Sequence, residues 1–300
     1  MKILVTGGTG FIGTELVRCL KSENHHFTLL TRNRELKSDD KQIQYCYSLD
    51  EFSDLNDFDV VINFAGEPIF DKYWTERQKE KLFKSRIEVT AKLSKLIQQS
   101  QQPPHTFLSG SAIGIYGDLP QSANFYTEST ACIAGDFAST LCQAWENEAL
   151  KAASEKTRVC LIRTGMVLSP NGGALKKMLP LYKWGLGGKL GSGKQYWGWI
   201  SLQDHVQAVI FLLKNANCSG AFNFVAPNPV TNAEFNQALA SAVKIPAIFH
   251  VPAFILKLLL GERASLLLDN QQVIPEKLER AGFQFQNPLL SEKVFLKAPK

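Results

Sequence analysis

The chain has 300 residues, 45% of them hydrophobic and 20% charged, with a formal net charge of +5. That balance is ordinary for a globular protein of one large domain or two modest ones. Lys and Arg are scattered without a basic block, which argues against a nucleic-acid partner; a basic cofactor and substrate cleft accounts for the excess. The N-terminus runs straight into an apolar strand, without the charged leader and apolar core of a secretory signal. The greasiest stretch, residues 253–268, is interrupted by Lys257, Glu262 and Arg263, too short and too charged to span a bilayer. No membrane partner is expected. Six cysteines (Cys19, Cys46, Cys132, Cys142, Cys160, Cys218) are widely spaced with no C-x-x-C pair. They read as free, mostly buried thiols in a reducing cytoplasm, with neither disulfides nor a metal site.

The first thirteen residues carry the most information. Ile3 to Val5 is a short apolar run, and Thr6-Gly7-Gly8-Thr9-Gly10 follows at once. Phe11, Ile12, Leu16, Val17 and Leu20 then recur at helical spacing. Strand, glycine turn and helix in this order open a dinucleotide-binding unit. Gly7 allows the turn, Gly10 lets the backbone approach a pyrophosphate, and Gly13 lets helix and strand pack closely. The pyrophosphate belongs at the helix N-terminus, where free N–H groups and the helix dipole favour negative charge.

The second apolar run, Phe27 to Arg32, bears on which dinucleotide. An NAD site carries Asp or Glu about twenty residues beyond the glycines, on the ribose 2′-hydroxyl. Here stand Thr31, Arg32, Asn33 and Arg34, with no carboxylate before Glu35. A guanidinium there suits a 2′-phosphate, so NADP(H) is the expected cofactor. The alternative is that Arg32 and Arg34 are solvated loop charges.

Strands and helices alternate through the first half. Residues 59–66 read as a strand entering a glycine turn, 76–98 as a long amphipathic helix, 106–109 as a strand, 138–153 as a helix and 158–163 as a strand. Past Gly165 the texture changes. Residues 170–173 read as a turn and the glycine-dense stretch 185–193 as loop or hairpin. Residues 204–214 return to a helix and 221–225 to a strand. Mostly helices follow from Thr231, punctuated by Pro246, Pro252, Pro275 and Pro288. No repeat or low-complexity segment occurs. The pattern predicts an α/β protein: a Rossmann-type, doubly wound parallel sheet with a smaller, mostly helical C-terminal substrate or lid domain. Residues 1–170 plus about 195–230 form the first part, and 171–194 and 231–300 the second.

These segments resemble the extended short-chain dehydrogenase/reductases, the group of nucleotide-sugar epimerases and dehydratases. The resemblance rests on residues 6–13, on Asn63-Phe64-Ala65-Gly66, on Ser109 to Gly117, and on Trp199 to Asp204. The chain is also similar to an atypical branch, the epimerase family proteins with a small C-terminal domain of unknown function. That likeness lies in Asp136-Phe137, Trp145-Glu146, Arg163-Thr164-Gly165, residues 191–195, 261–264, 275–278 and 282–285. The resemblance implies an oxidoreductase or epimerase acting on a small molecule, with nucleotide sugars the foremost class, and a monomer or homodimer. It also implies that Thr6, Gly7, Gly10, Phe11, Ile12, Gly13, Arg32, Asn63, Ala65, Gly66, Ser109 and Arg163 hold the cofactor.

Two departures stand out. In typical members a Tyr and a Lys four residues later move the proton, and a Ser at a strand end orients the substrate oxygen. Ser111 takes the serine position. Counted along from Tyr116-Gly117, the tyrosine falls at Phe137 and the lysine at Leu141, expected one turn apart and facing the nicotinamide. No Tyr-x-x-x-Lys lies between Tyr116 and Arg163. Ser111 and Tyr116 are the first candidates for the chemistry, with Tyr116 as a packing residue the alternative. Ser109, Glu128, Asp136 and Cys142 stand behind them, and Cys142 reads mainly as core. The second departure is the arginine that typical members place before the Ile200–Asp204 element to grip a diphosphate. Trp197 stands near it, and Trp184, Tyr196, Trp197 and Trp199 form an aromatic set fit either to stack on a sugar or to pack. A non-catalytic NADP(H)-binding sensor or partner protein is therefore the alternative function.

Overall fold

The computed structural model describes residues 1–132 and 135–297. In chain order β1 (Lys2–Thr6), α1 (Phe11–Lys21), β2 (His26–Leu30), β3 (Ile43–Cys46), β4 (Val60–Asn63), α2 (Glu76–Gln99), β5 (Thr106–Ala112), α3 (Phe137–Leu150) and β6 (Arg158–Thr164) come first. They are followed by β7 (Met166–Leu168), α4 (Gly173–Lys183), β8 (Gly188–Leu190), β9 (Tyr196–Trp197), β10 (Trp199–Ser201), α5 (Leu202–Lys214) and β11 (Gly220–Phe224). The last part holds β12 (Val230–Thr231), α6 (Asn232–Val243), β13 (Phe249–Val251), α7 (Ala253–Leu260) and short helices α8 (Ser265–Leu268), α9 (Glu276–Arg280) and α10 (Glu292–Leu296).

Seven strands form one parallel sheet in the order β11-β6-β5-β4-β1-β2-β3. Side chains alternate across it, as the pleat requires. Ile3, Val5, Ile62, Leu108 and Ile162 join one core with Leu16 and Leu20 of α1 and Val206 and Val209 of α5. Leu4, Val61, Phe107 and Leu161 join the opposite core with Leu93 and Ile97 of α2 and Ala149 of α3. Each such side chain, fully buried, stabilises the fold by about 1.5–3 kcal/mol. The strand order reverses between β1 and β4, so the carboxyl ends of these two strands flank the crevice where such sheets bind ligands.

A third core lies outside the sheet. Leu175, Leu179 and Tyr182 of α4 pack with Trp197, Trp199, Phe235 and Leu239 of α6, and Phe295 of α10. Three two-stranded ribbons frame it: β7 with β10, β9 with β12, and β8 with β13. Helix α4 and these ribbons were not foreseen in the sequence. Pro180 sits inside α4, where a proline normally ends a helix. The glycine-dense stretch 185–193 is not all loop, because β8 finds its partner β13 about sixty residues later, beyond the reach of any local pattern.

Candidate functional site

The glycine turn is built as its residue types demand. Gly7 has φ of +70°, and a Cβ there would sit 2.5 Å from the Phe64 carbonyl oxygen. A Cβ on Gly13 would sit 2.2 Å from the Gly7 carbonyl oxygen, so the first turn of α1 rests directly on the glycine turn. Gly10 is different. Its Cβ would meet only the Gly7 carbonyl oxygen, at 3.2 Å, and otherwise open space. Gly10 caps α1 without a side-chain bond, and the first turn carries no acidic residue. The end of α1 is thereby left to an anion. Phe11 and Ile12 are half-buried beside it.

Thr6 and Asn63 hold this turn from below. The Thr6 hydroxyl donates to Asn63 Oδ1 at 2.6 Å, Asn63 Nδ2 donates to Thr90 Oγ1 at 2.8 Å, and the Ala65 N–H donates to Thr6 Oγ1 at 3.3 Å. Both are fully buried, so they shape the crevice without lining it. Ala65 and Gly66 surface at the end of β4. Arg32 extends from the end of β2 with its side chain 93% exposed, and its Nη1 lies 4.0 Å from Glu67. Lys72, bonded at 3.1 Å, holds the Glu67 carboxyl below its ordinary range, with Arg32 adding to the effect.

The end of β5 and β6 is closed instead. Ser111 donates to Glu146 Oε1 at 2.7 Å. Arg163 donates to the same carboxylate through Nε at 2.8 Å and Nη2 at 2.9 Å, and through Nη1 to the Tyr116 oxygen at 2.8 Å. Tyr116 donates to Asn223 Oδ1 at 2.8 Å, and the Asn223 N–H donates to Glu128 at 2.9 Å. Burial opposes the Arg163 charge, but its bonds to Glu146 offset this and keep it firmly protonated. Burial pushes the Tyr116 phenol up to about 12.

The network occupies three of the candidate side chains, and a fourth, Ser109, is buried beside it. Tyr116 is fully buried with both hydrogen-bonding directions occupied, so it is no proton donor to a cleft. Ser111, 4% exposed, spends its hydroxyl on Glu146. Arg163 spends its fork on that carboxylate rather than on a cofactor. Ser109 is fully buried in mid-strand, with only a long 3.4 Å contact to the Gly110 carbonyl.

The positions counted for Tyr and Lys fall one turn apart, as counted. Both lie on α3, but Phe137 packs edge-on against Trp74 at 5.1 Å, and Leu141 clusters with Trp74 and Leu82. That face turns toward α2 and the loop before it. Ser111 and Arg163 meet α3 at Glu146, one turn beyond Cys142. Cys142 is core, and burial pushes its thiol up to about 12. Asp136 caps α3 through the Ser139 N–H at 2.6 Å. Burial raises the pKa of Glu128. In the aromatic set, Trp199 and Trp197 are packed, donating to the Asn228 and Leu267 carbonyls; Trp184 is 74% exposed.

Sequence reasoning missed three features. Arg86 of α2 reaches back to the crevice rim, donating to the Glu67 carbonyl at 3.0 Å, and fills the space a side chain on Gly66 would need. Arg263 donates to the Phe70 carbonyl at 2.9 Å and lies 4.0 Å over the Tyr73 ring, while Tyr73 donates to the Leu259 carbonyl at 2.7 Å. With Glu262 bonded to Lys79 at 2.8 Å, this clasps the C-terminal segment to the loop after β4. Asp269, just past α8, has its carboxyl pushed up to about 7 by burial and by Asp118 and Asp136. Only the clasp had a visible signal, the Gly261-Glu262-Arg263-Ala264 run.

A groove of about 810 Å³ lies at the amino ends of β2 and β3, lined by Lys2, His26, Asp39 and Asp57 among others. None of the glycine-turn residues lines it, so it is not the cofactor crevice. Among the described residues no group of side chains is arranged to hold a metal ion. All six cysteines are free.

Residues 3–224 match the NAD dependent epimerase/dehydratase family, and residues 251–292 match a domain of unknown function, DUF1731. The epimerase family protein SH2119 of Staphylococcus haemolyticus is 40% identical over 286 residues, covering 95% of this chain and 94% of its own length. The crystal structure of the human epimerase family protein SDR39U1, isoform 2, with NADPH superposes with a TM-score of 0.89 at 33% identity, covering 98% of each chain. The UDP-glucose 4-epimerase of Thermotoga maritima with UDP-glucose shares the fold, with a TM-score of 0.77 at 16% identity, covering 99% of this chain and 97% of that one. The chain belongs to the NAD-dependent epimerase/dehydratase family.

Proposed function

We propose that this protein binds NADP(H) at the β1–α1 turn and is an oxidoreductase or epimerase for a small carbinol or carbonyl substrate. The observation that carries the reading is the open space over Gly10 at an uncapped, acid-free helix end, with an exposed guanidinium at the end of β2. The residues fit the cofactor. The glycine turn and the first N–H groups of α1 would hold the pyrophosphate, Arg32 the 2′-phosphate, and Ala65 and Gly66 the path toward the nicotinamide. NADP(H) supplies hydride transfer when bound. Thr6 and Asn63 fix the backbone that receives it. The NADPH of the human relative supports the choice of cofactor.

Proton transfer is assigned outside the usual pair. Tyr116 and Ser111 are internal, and the described segment of α3 carries neither a tyrosine nor a lysine facing β5. Asp269 is a half-buried carboxyl whose pKa is pushed up to about 7 by burial and by Asp118 and Asp136, the last at the start of α3, and we assign it the acid/base role. We take residues 171–194 and 231–300 as the substrate side, clasped over the crevice by Arg263. The unpaired thiols fit a cytoplasmic setting.

The test is to incubate the protein with NADPH and a panel of carbonyl compounds, and with NADP and nucleotide sugars, following nicotinamide absorbance and product stereochemistry. Turnover that disappears in Asp269→Asn while NADPH affinity is kept supports the assignment. Turnover unchanged in that variant refutes it. The closed network favours a second reading, a non-catalytic NADP(H)-binding sensor. NADPH binding with no turnover on any member of the panel would select it.

A further inference from the structure

The surface around α7 does not match its sequence. Seven of its eight residues, Ala253 to Leu260, are apolar, and Lys257 is the exception. A helix apolar on all sides is normally buried. Here only Leu256 is buried; Phe254 is 69% exposed and Leu258, one turn on, 82%. The neighbouring elements continue the patch. β13 leads directly into α7 and pairs with β8, and Ile248 and Phe249 at its start are 82% and 50% exposed. The turn joining α4 to β8 adds Trp184 and Leu186. A contiguous exposed apolar surface of this kind marks an interaction site.

Its charge identifies the partner. Residues 165–203 and 235–261 contain seven lysines and no Asp or Glu. That exceeds the net charge of +5 of the whole chain, so the remainder is acidic on balance. Lys183, Lys189 and Lys257 are exposed on the elements that carry the apolar side chains. Near this face Glu262 is paired with Lys79 and Asp71 with Lys177, and Asp269 lies within electrostatic reach of Lys257. A two-fold contact between copies would set this acid-free lysine surface against itself.

We propose that the face formed by α7, the β8–β13 ribbon and the end of α4 docks on the surface of an anionic lipid bilayer. Phe254, Leu258, Ile248 and Trp184 would enter the headgroup boundary and the lysines would pair with lipid phosphates. The mode is peripheral: no helix among the described residues is long and apolar enough to cross a membrane.

The test is sedimentation of the full chain with vesicles of phosphatidylcholine alone or with about a third phosphatidylglycerol. Binding to the anionic vesicles at least about tenfold tighter, weakened by salt, is expected. The Phe254→Glu/Leu258→Glu double variant should lose it, with NADPH affinity and melting temperature unchanged. If that variant does not fold, the Lys183→Gln/Lys189→Gln/Lys257→Gln variant should erase the difference between the two vesicles. No binding to anionic vesicles at low salt, or binding unaffected by these changes, overturns the proposal. So does a stable dimer in solution that Phe254→Glu/Leu258→Glu dissociates, which would show a second copy covering this face.

Discussion

The carboxyl ends of the parallel strands differ sharply from one side of the sheet to the other. At β1, β2 and β4 the polar groups either support the backbone from below, as Thr6 and Asn63 do, or reach into solvent, as Arg32 does. At β5, β6 and β11 the polar groups turn toward one another: Ser111, Glu146, Arg163, Tyr116 and Asn223 are buried and satisfy one another, with the half-buried Glu128 at the edge of the network. The same fold therefore keeps one end open, the end proposed above to receive the cofactor, and ties the other into a strut. Sheet topology places the crevice, but the partners of each polar group decide whether it is available for chemistry.

Removing Arg163 should have the largest effect. Arg163→Met leaves Glu146 as a buried carboxylate without its cation, and should cost about 3–5 kcal/mol of stability in urea unfolding. A loss under about 1 kcal/mol would mean the network is not the strut inferred here. Next is Gly10→Val. It should fold, yet weaken NADPH binding at least about a hundredfold, or ~2.7 kcal/mol, because the new side chain fills the open space over the α1 end. Retained affinity in titration calorimetry would move the phosphate site elsewhere.

Tyr116→Phe sharpens the contrast. It strands Arg163 Nη1 and Asn223 Oδ1, and should cost about 1–3 kcal/mol in stability with NADPH affinity and any turnover per folded molecule unchanged. A selective loss of turnover would restore Tyr116 to the chemistry. The smallest expected effect is at Asp269. Its folded pKa, about 7, lies above the ordinary carboxyl value, so its neutral form contributes stability at low pH that is lost as pH rises through 7. Asp269→Asn should therefore be more stable than the parent at pH 8, on the order of 1 kcal/mol after discounting for partial solvation, and equal to it below about pH 4. Melting temperatures across that range check the sign.

The glycine turn and the strand and helix around it were legible in the sequence because their rules are local. Glycines at fixed offsets, a strand before and a helix after them, and Arg32 at the next strand end need no tertiary knowledge. The strut was not legible. Glu146 and Arg163 sit on a helix and a strand, and nothing in their separation announces a bidentate pair. For Tyr116 the sequence left both a catalytic phenol and a packing residue open, because the partner that decides it, Asn223, is 107 residues away. Counting from Tyr116 put the missing pair at Phe137 and Leu141, on the α2-facing side of α3. The pairing of Ser111 with Glu146 is what shows which side faces β5. Pro180 concealed α4, and the late partner of β8 concealed a strand among glycines.

The account stands most directly on the receptor side being an NADP(H) site. Titration of the unmutated protein with NADPH and with NADH measures this. NADPH should bind at least about tenfold more tightly, equivalent to ~1.4 kcal/mol, and Arg32→Ala should remove most of that difference by weakening NADPH alone. Equal affinities for the two cofactors, or a preference that survives Arg32→Ala, would contradict it.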